Sequence, residues 1–269
     1  RRSSDLWSLS NAEAGWISGI FYGGYVVGVP VLVGLTDRID PRRIYLLSLV
    51  ISAGAALGYG LLADGFVSAF LFRALAGLGL AGTYMPGLKL MTDRIGAHPR
   101  QGRHVAYYTA GFSLGAAVSY PFSAEMAVWL GWRWAFIGAT VGALLALLLV
   151  LILVPPMQPE APATVPRHLF DFRPVFRNRP AMAFVWGYTG HTWELFALRS
   201  WLVAFLIHAQ SAHGGGSDLS GASWITTVIV LVSTLSSIYG AEAAARADRR
   251  KIIGRDRKST RLNSSHGII

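Results

Sequence analysis

The sequence predicts an all-α protein, a polytopic bundle of membrane-spanning helices. Of the 269 residues, 53% are hydrophobic and only 14% are charged, which is about half the charge of an ordinary soluble domain. Long stretches with few or no charges recur along the chain, and the charges gather between them. Since lipid offers no hydrogen-bond partner to an open backbone, these stretches are expected to be helices.

Seven stretches are predicted to span the membrane, because each is long enough to cross ~30 Å of hydrocarbon as a helix. They are residues 14–36, 44–63, 65–88, 105–124, 134–156, 180–207 and 219–241. Small residues spaced four apart are typical of helices that pack closely in lipid. In the first span this spacing predicts packing at Gly15, Gly19 and Gly23, and again at Gly24 and Gly28.

The loops between spans alternate in charge, which predicts an orientation because Lys and Arg are retained on the cytoplasmic side. Basic loops fall near residues 37–43, 89–103, 167–179 and 246–251, whereas the other loops carry a single arginine. We therefore expect a multi-pass protein of the cell (inner or plasma) membrane, with its N-terminus outside and its C-terminus in the cytoplasm. The net charge of +10 is explained by these loops, so nucleic-acid binding is not expected.

Three motifs resemble those of the major facilitator superfamily of secondary transporters. Residues 34–43 read G-L-T-D-R-I-D-P-R-R, residues 73–81 read R-A-L-A-G-L-G-L-A, and residues 131–136 read G-W-R-W-A-F. They are similar to the loop between the family's second and third helices, to its fourth helix and to the entry to its sixth. The fourth-helix motif has Arg73, Gly77 and Gly79 in place, and the resemblance implies that the two glycines are packing residues. The first motif departs from the pattern: Gly34 lies one residue too close to Asp37, and Asp40 stands where the family has its second glycine.

The resemblance covers roughly residues 7–253 and implies that the spans are helices two to eight of a twelve-helix protein, truncated at both ends and monomeric when full length. Four segments are then expected. They are most of the first six-helix half at 1–154, a cytoplasmic linker at 155–180, the start of the second half at 181–254 and a non-native tail at 255–269.

Four ionisable residues inside predicted spans are the candidate solute and coupling site, because charge in hydrocarbon is costly and usually marks a pathway. Arg73, His191 and Arg199 are expected to offer positive charge to an anionic solute, and Glu194, alone or with His191, to take up a coupling proton. Structural alternatives remain for each. Arg73 can snorkel to the interface, His191 and Glu194 can lock two helices together, and Arg199 can anchor the interface.

The resemblance also implies a conformational role for the charged loop residues. Asp37, Arg38 and Arg42 are expected to hold one side of the protein closed during alternating access, with Arg38 paired to Asp93 at the end of the third span. The alternative is that these charges only solvate the loop ends.

The predicted function is a permease that moves a small, preferably anionic, solute together with a proton. Symport is favoured over antiport, because residues 115–121 are only a degraded form of the family's antiporter motif. The alternative is a seven-span receptor, which the absence of an outer cysteine pair disfavours. Enzymatic activity, a cofactor and a metal site are not expected, since the spans hold no nucleophile–base pair and no metal-ligand cluster. The expected partners are the solute, a proton and the lipid bilayer.

Overall fold

The computed structural model describes residues 7–96, 101–157, 173–213 and 218–246, and within these ranges all regular structure is helical. The predicted all-α fold is therefore confirmed. The predicted tail and the central part of the predicted linker lie outside the described residues. The helices are α1 Asn11–Leu35, α2 Pro41–Leu62, α3 Phe66–Ala81, α4 Tyr84–Ile95, α5 Gln101–Trp129, α6 Trp132–Leu153, α7 Arg173–Arg177, α8 Arg179–Ala212 and α9 Leu219–Arg246.

Six helical stretches of the described chain are long and apolar enough to cross a membrane. They are Asn11–Leu35, Pro41–Leu62, Phe66–Ile95, Trp132–Leu153, Arg179–Ala212 and Leu219–Ser236. Helices α3 and α4 together form the third stretch. The remaining predicted span, residues 105–124, corresponds to α5, which has sufficient length. Polar residues along α5, such as Thr109, Ser113 and Ser119, lower its average hydropathy below that of the other six.

Local sequence signals fix where several helices begin. Before α1, the Ser10 hydroxyl accepts from the backbone N–H of Glu13, and the Glu13 carboxylate accepts from the backbone N–H of Ser10, a reciprocal cap. Helix α2 begins with Pro41 directly after Asp40, whose side chain caps it. Gly131 precedes α6 at a φ of 98°, a left-handed conformation that favours glycine.

The chain divides into two compact units, each made of two separate segments. The first unit is Arg1–Gly96 with Met126–Phe196, and the second is Ala97–Glu125 with Ala197–Ile269. The division predicted from the sequence follows the chain from end to end, whereas these units join helices that are distant in sequence. The predicted six-helix halves therefore stay a prediction.

Glycines in the first unit allow α1 to lie directly against α3. A Cβ on Gly77 would fall inside contact distance of the backbone oxygen of Phe21, and one on Gly24 would meet the backbone oxygen of Ala74. Gly79 faces α2 in the same way, at Ser52. The packing role predicted for Gly77 and Gly79 is visible in these contacts.

The glycines at the start of α1 behave differently from the prediction. No described atom lies within 4 Å of a Cβ built on Gly15 or Gly19, and Gly23 faces only the Ile20 side chain of its own helix, at 3.2 Å. The close approach to α3 occurs farther along α1, at Gly24 and the positions that follow. Of the two predicted sets of glycines in the first span, Gly24 and Gly28 are therefore the ones that face α3, at Ala74 and at Leu78 and Ala81.

Aromatic rings close one end of the first unit, which we call the tryptophan end and define by Trp7, Tyr59, Trp132 and Phe136. Tyr59 stacks on Phe136 with ring centroids 4.1 Å apart, and Trp7 meets Trp132 edge-on at 5.4 Å. Tyr59 is buried in a cluster that also contains Ile17. These contacts join α2 to the start of α6.

The contrast between glycines gives a test of helix packing. Gly77→Ala should destabilise the protein by about 1–3 kcal/mol, because the added methyl group overpacks a contact between two backbones. Gly19→Ala should be neutral or slightly stabilising, because its methyl group meets no described atom and alanine is the better helix former. Thermal unfolding in detergent micelles, followed by tryptophan fluorescence, measures both variants. Equal losses would contradict the packing described for α1 and α3.

Candidate functional site

Arg73 lies in the middle of α3, between Phe66 and Ala81, and is half-buried. Its guanidinium carbon is 4.8 Å from the centre of the Phe21 ring on α1. An aromatic face attracts a cation electrostatically but does not neutralise it. No carboxylate among the described residues forms an ion pair with Arg73. The structure therefore presents an intramembrane cation that is held in place by an aromatic ring rather than by an acid.

Aromatic contacts lead from Arg73 to α8. The rings of Phe21 and Tyr22 meet at 5.4 Å, and Tyr22 meets Phe196 at the same distance. Phe196 lies two residues after Glu194 on α8. The first unit thus joins Arg73 and the α8 segment that carries His191 and Glu194 through one set of rings. We call Phe21, Tyr22 and Phe196 the aromatic wall.

The two α8 residues differ in exposure. His191 is half-buried, whereas Glu194, three residues later on the same helical face, is exposed. From the sequence we expected the Glu194 carboxylate to be buried. In the structure no residue of α8 is buried. The fourth candidate, Arg199, lies in the second unit. There its backbone carbonyl accepts a hydrogen bond from the Tyr120 hydroxyl at 3.4 Å.

Charged side chains meet at the opposite end of the first unit, near the ends of α1 and α4. The Lys89 ammonium lies 3.7 Å from the Asp37 carboxylate and 3.2 Å from that of Asp93. From the sequence, Lys89 is only a loop charge and Asp93 is predicted to pair with Arg38; that Arg38 pair stays a prediction. Because both contacts are partly exposed, each contributes under about 1 kcal/mol.

Asp40 connects two helices at this end and is buried. One carboxylate oxygen accepts from the Arg42 backbone N–H at 2.9 Å and caps α2, and the other accepts from the Met157 backbone N–H at 3.0 Å, just beyond α6. In the sequence, Asp40 stands out only as a departure from the family motif. The signal that identifies its role is an aspartate immediately before Pro41, a common start of a helix.

Two arginines complete this arrangement by donating to carbonyl groups at the end of α6. Arg42 donates to the Leu151 oxygen at 3.2 Å, and Arg94 donates to the Pro155 oxygen. Carbonyls at a helix C-terminus carry partial negative charge, so cations are favourable there. We call the group Asp40, Arg42, Lys89 and Arg94 the basic end. It joins α2, α4 and α6.

The described residues contain no group of three or more His, Asp or Glu side chains able to hold a metal ion. The chemistry of the candidate site therefore comes from one arginine, one His–Glu face and aromatic rings.

The motifs and geometry agree with a comparison of the whole chain with protein families. Residues 4–255 match the family model of the Major Facilitator Superfamily. The chain belongs to this family. The match gives no support to the seven-span receptor alternative.

Two of the similar proteins are named for different small molecules. The chain is 30% identical to the niacin transporter NiaP of Acinetobacter baylyi over 131 residues, covering 49% of this chain and 29% of that protein. It is also 30% identical to a chloramphenicol resistance protein of Streptomyces lividans over 139 residues, covering 52% of this chain and 35% of that protein. The chain spans about a third of the length of these relatives.

A solved structure shares the fold. It is a bacterial homolog of the human lysosomal transporter Spinster, in an inward-facing and unoccupied conformation. The match has a TM-score of 0.69 at 17% identity and covers 92% of this chain and 58% of that one.

The double role of Asp40 leads to a stability prediction. Asp40→Ala should lower the free energy of unfolding by about 1–2 kcal/mol, because it removes a helix cap and leaves the Met157 N–H without its acceptor. Asp40→Asn should cost less, since an amide oxygen still accepts. Asp37→Ala, which removes only an exposed ion pair, is the control and should cost under about 1 kcal/mol. Unfolding in detergent micelles measures all three, and an Asp37→Ala loss as large as that of Asp40→Ala would refute the assignment.

Proposed function

We propose that the protein moves a small organic anion across the membrane by alternating access, coupled to proton uptake. The observation that carries this proposal is the half-buried Arg73 on α3, inside a candidate membrane span and without an ion pair among the described residues. Because the chain spans only part of its relatives, the proposal concerns the full-length protein that contains it.

The energetics of charge favour an anionic solute. A cation in a membrane span loses much of its hydration, and this cost is recovered only by an opposite charge or by a path to water. The Phe21 ring face provides a part of the compensation. A solute carboxylate provides the remainder when it binds, so Arg73 gives the site selectivity for anions.

The proton is assigned to Glu194, with His191 as its partner on the same face of α8. These residues combine a carboxylate and an imidazole, and protonation of either one changes the charge that the solute meets. Neutralising Glu194 removes a negative charge that would repel an anion. Binding of the proton therefore strengthens binding of the anion, and the reverse also holds. This coupling favours symport of the two.

The relatives support a choice of probe. Niacin is a ring carboxylic acid that is anionic at neutral pH, whereas chloramphenicol carries no charge there. The niacin transporter therefore fits a site built on Arg73, and the chloramphenicol relative does not require one. Nicotinate is the first probe, and chloramphenicol is the uncharged comparison.

The charge pattern supports an orientation in the cell membrane. The basic end is proposed to face the cytoplasm and the tryptophan end the outside, because lysine and arginine are retained inside and tryptophan favours the membrane interface. We also propose that the full-length protein acts as a monomer.

Removal of the Arg73 charge should abolish anion transport. Arg73→Gln is expected to reduce uptake of radiolabelled nicotinate into proteoliposomes at least about tenfold, equivalent to about 1.4 kcal/mol of lost interaction. Arg133→Gln is the matched control, because Arg133 also contacts an aromatic ring, Trp132 at 5.4 Å, but lies at the start of α6. Nicotinate uptake that persists in Arg73→Gln would disprove the role of Arg73.

Replacement of Glu194 should remove the response to a proton gradient. Glu194→Gln is expected to carry out nicotinate exchange but to lose accumulation driven by an inward proton gradient. Glu13→Gln is the control, since Glu13 only caps α1. Uptake is measured with and without a protonophore. Gradient-driven accumulation that is unchanged in Glu194→Gln would remove Glu194 from the coupling mechanism.

A further inference from the structure

A short basic segment precedes the long helix α8. We call it the arginine turn and define it as residues 173–179, which are α7, Asn178 and the first residue of α8. The Asn178 backbone N–H donates to the Val175 oxygen at 3.1 Å, and its side-chain oxygen accepts from the Ala181 N–H at 3.2 Å. These bonds attach the arginine turn directly to the start of the candidate membrane span Arg179–Ala212.

The arginine turn concentrates positive charge. Residues 173–193 contain three arginines and no aspartate or glutamate. Arg177 and Arg179 are exposed, and the ion pairs of the described residues involve neither of them. Basic side chains at the basic end differ, since Lys89 lies between two carboxylates and Arg42 donates to a carbonyl group. The charge of Arg177 and Arg179 is therefore open to an anion from outside the described chain.

Apolar side chains of the same segment are exposed beside these charges. Phe176 is 68% exposed and Val175 is 44% exposed. At the end of a membrane span, an apolar side chain gains by entering the boundary between headgroups and hydrocarbon, where nearby arginines meet lipid phosphates. Because Asn178 already caps α8, the cationic groups open to a ligand are the arginine side chains rather than the helix terminus.

We propose that the arginine turn binds the headgroups of anionic phospholipids, with Phe176 inserted at the boundary of their acyl chains. A guanidinium group forms paired hydrogen bonds to phosphate, and each arginine near a negative surface adds attraction. A zwitterionic headgroup carries its own cation, so the site selects lipids by their net charge. The charge pattern of the loops predicts that the contact lies in the cytoplasmic leaflet. The site is independent of the proposed function, because it contains neither Arg73 nor Glu194.

Lipid contact at this segment can be measured with one introduced thiol, since the chain contains no cysteine. The full-length protein carries Ala183→Cys, one turn into α8, as its single cysteine, and a fluorophore on this thiol reports on adjacent lipids. Quenching by brominated phosphatidylglycerol and by brominated phosphatidylcholine gives the ratio of their association constants. We expect phosphatidylglycerol to be preferred at least about fivefold. The preference should fall toward one at about 0.5 M salt, because salt screens the attraction.

Variants show whether the preference comes from the arginine turn. Arg177→Gln with Arg179→Gln should lower the ratio at least about threefold, whereas Arg177→Lys with Arg179→Lys should retain most of it because the charge persists. Arg133→Gln is the matched control, since Arg133 is also exposed but lies on the Trp132 ring at the start of α6. It should leave the ratio unchanged.

Three results would overturn the proposal. They are equal quenching by both lipids in the protein with native arginines, a preference that survives the glutamine pair, and an equal loss of preference in Arg133→Gln. Insertion of the apolar side chain has its own test. A fluorophore on Phe176→Cys should be quenched by lipid brominated on its acyl chains and protected from aqueous iodide. Quenching by iodide alone would overturn the insertion.

None of these measurements involves a solute. Failure of nicotinate transport would therefore refute the proposed function and leave the lipid site to be decided by the quenching ratios alone.

Discussion

The cost of placing a charge in hydrocarbon is the constraint on which this molecule depends. Arg73 lies inside the candidate membrane-spanning stretch Phe66–Ile95, with its guanidinium on the Phe21 ring and no ion pair among the described residues. Such a group is stable only if an anion or water reaches it. The Phe21 ring, which begins the aromatic wall, contacts the Arg73 guanidinium. In the proposed function, this contact positions the arginine and leaves its charge available to a solute.

In the rest of the structure, close backbone packing lies along the helices, whereas polar contacts lie at the helix ends. Helices α1 and α3 approach through glycines whose replacement would force two backbones apart. The charged and polar contacts lie at helix ends instead, with Asp40 and Arg42 at the basic end. Close backbone packing resists deformation, whereas hydrogen bonds near water exchange partners at low cost. This distribution is compatible with the proposed alternating access, in which packed helices move together and contacts at helix ends break.

Much of the fold could be predicted from the sequence, because hydropathy and charge act locally along the chain. The spans and the all-helical structure followed from composition and spacing, and the contacts at Gly77 and Gly79 from the resemblance to a family motif. The exact place where α1 meets α3 did not, since spacing alone cannot choose between Gly19 and Gly24. The roles of Lys89 and Asp40 were also missed. Each depends on a partner from a distant segment, and only three-dimensional proximity shows that partner.

The central claim is that Arg73 selects a solute by its negative charge. The most direct measurement compares binding of nicotinate with binding of nicotinamide, its uncharged amide, to the unmodified full-length protein at constant pH. The two molecules have nearly the same size and ring, so a difference in affinity reports on charge. The account predicts that nicotinate binds at least about tenfold more tightly, which corresponds to about 1.4 kcal/mol. Equal binding of the two molecules would contradict it.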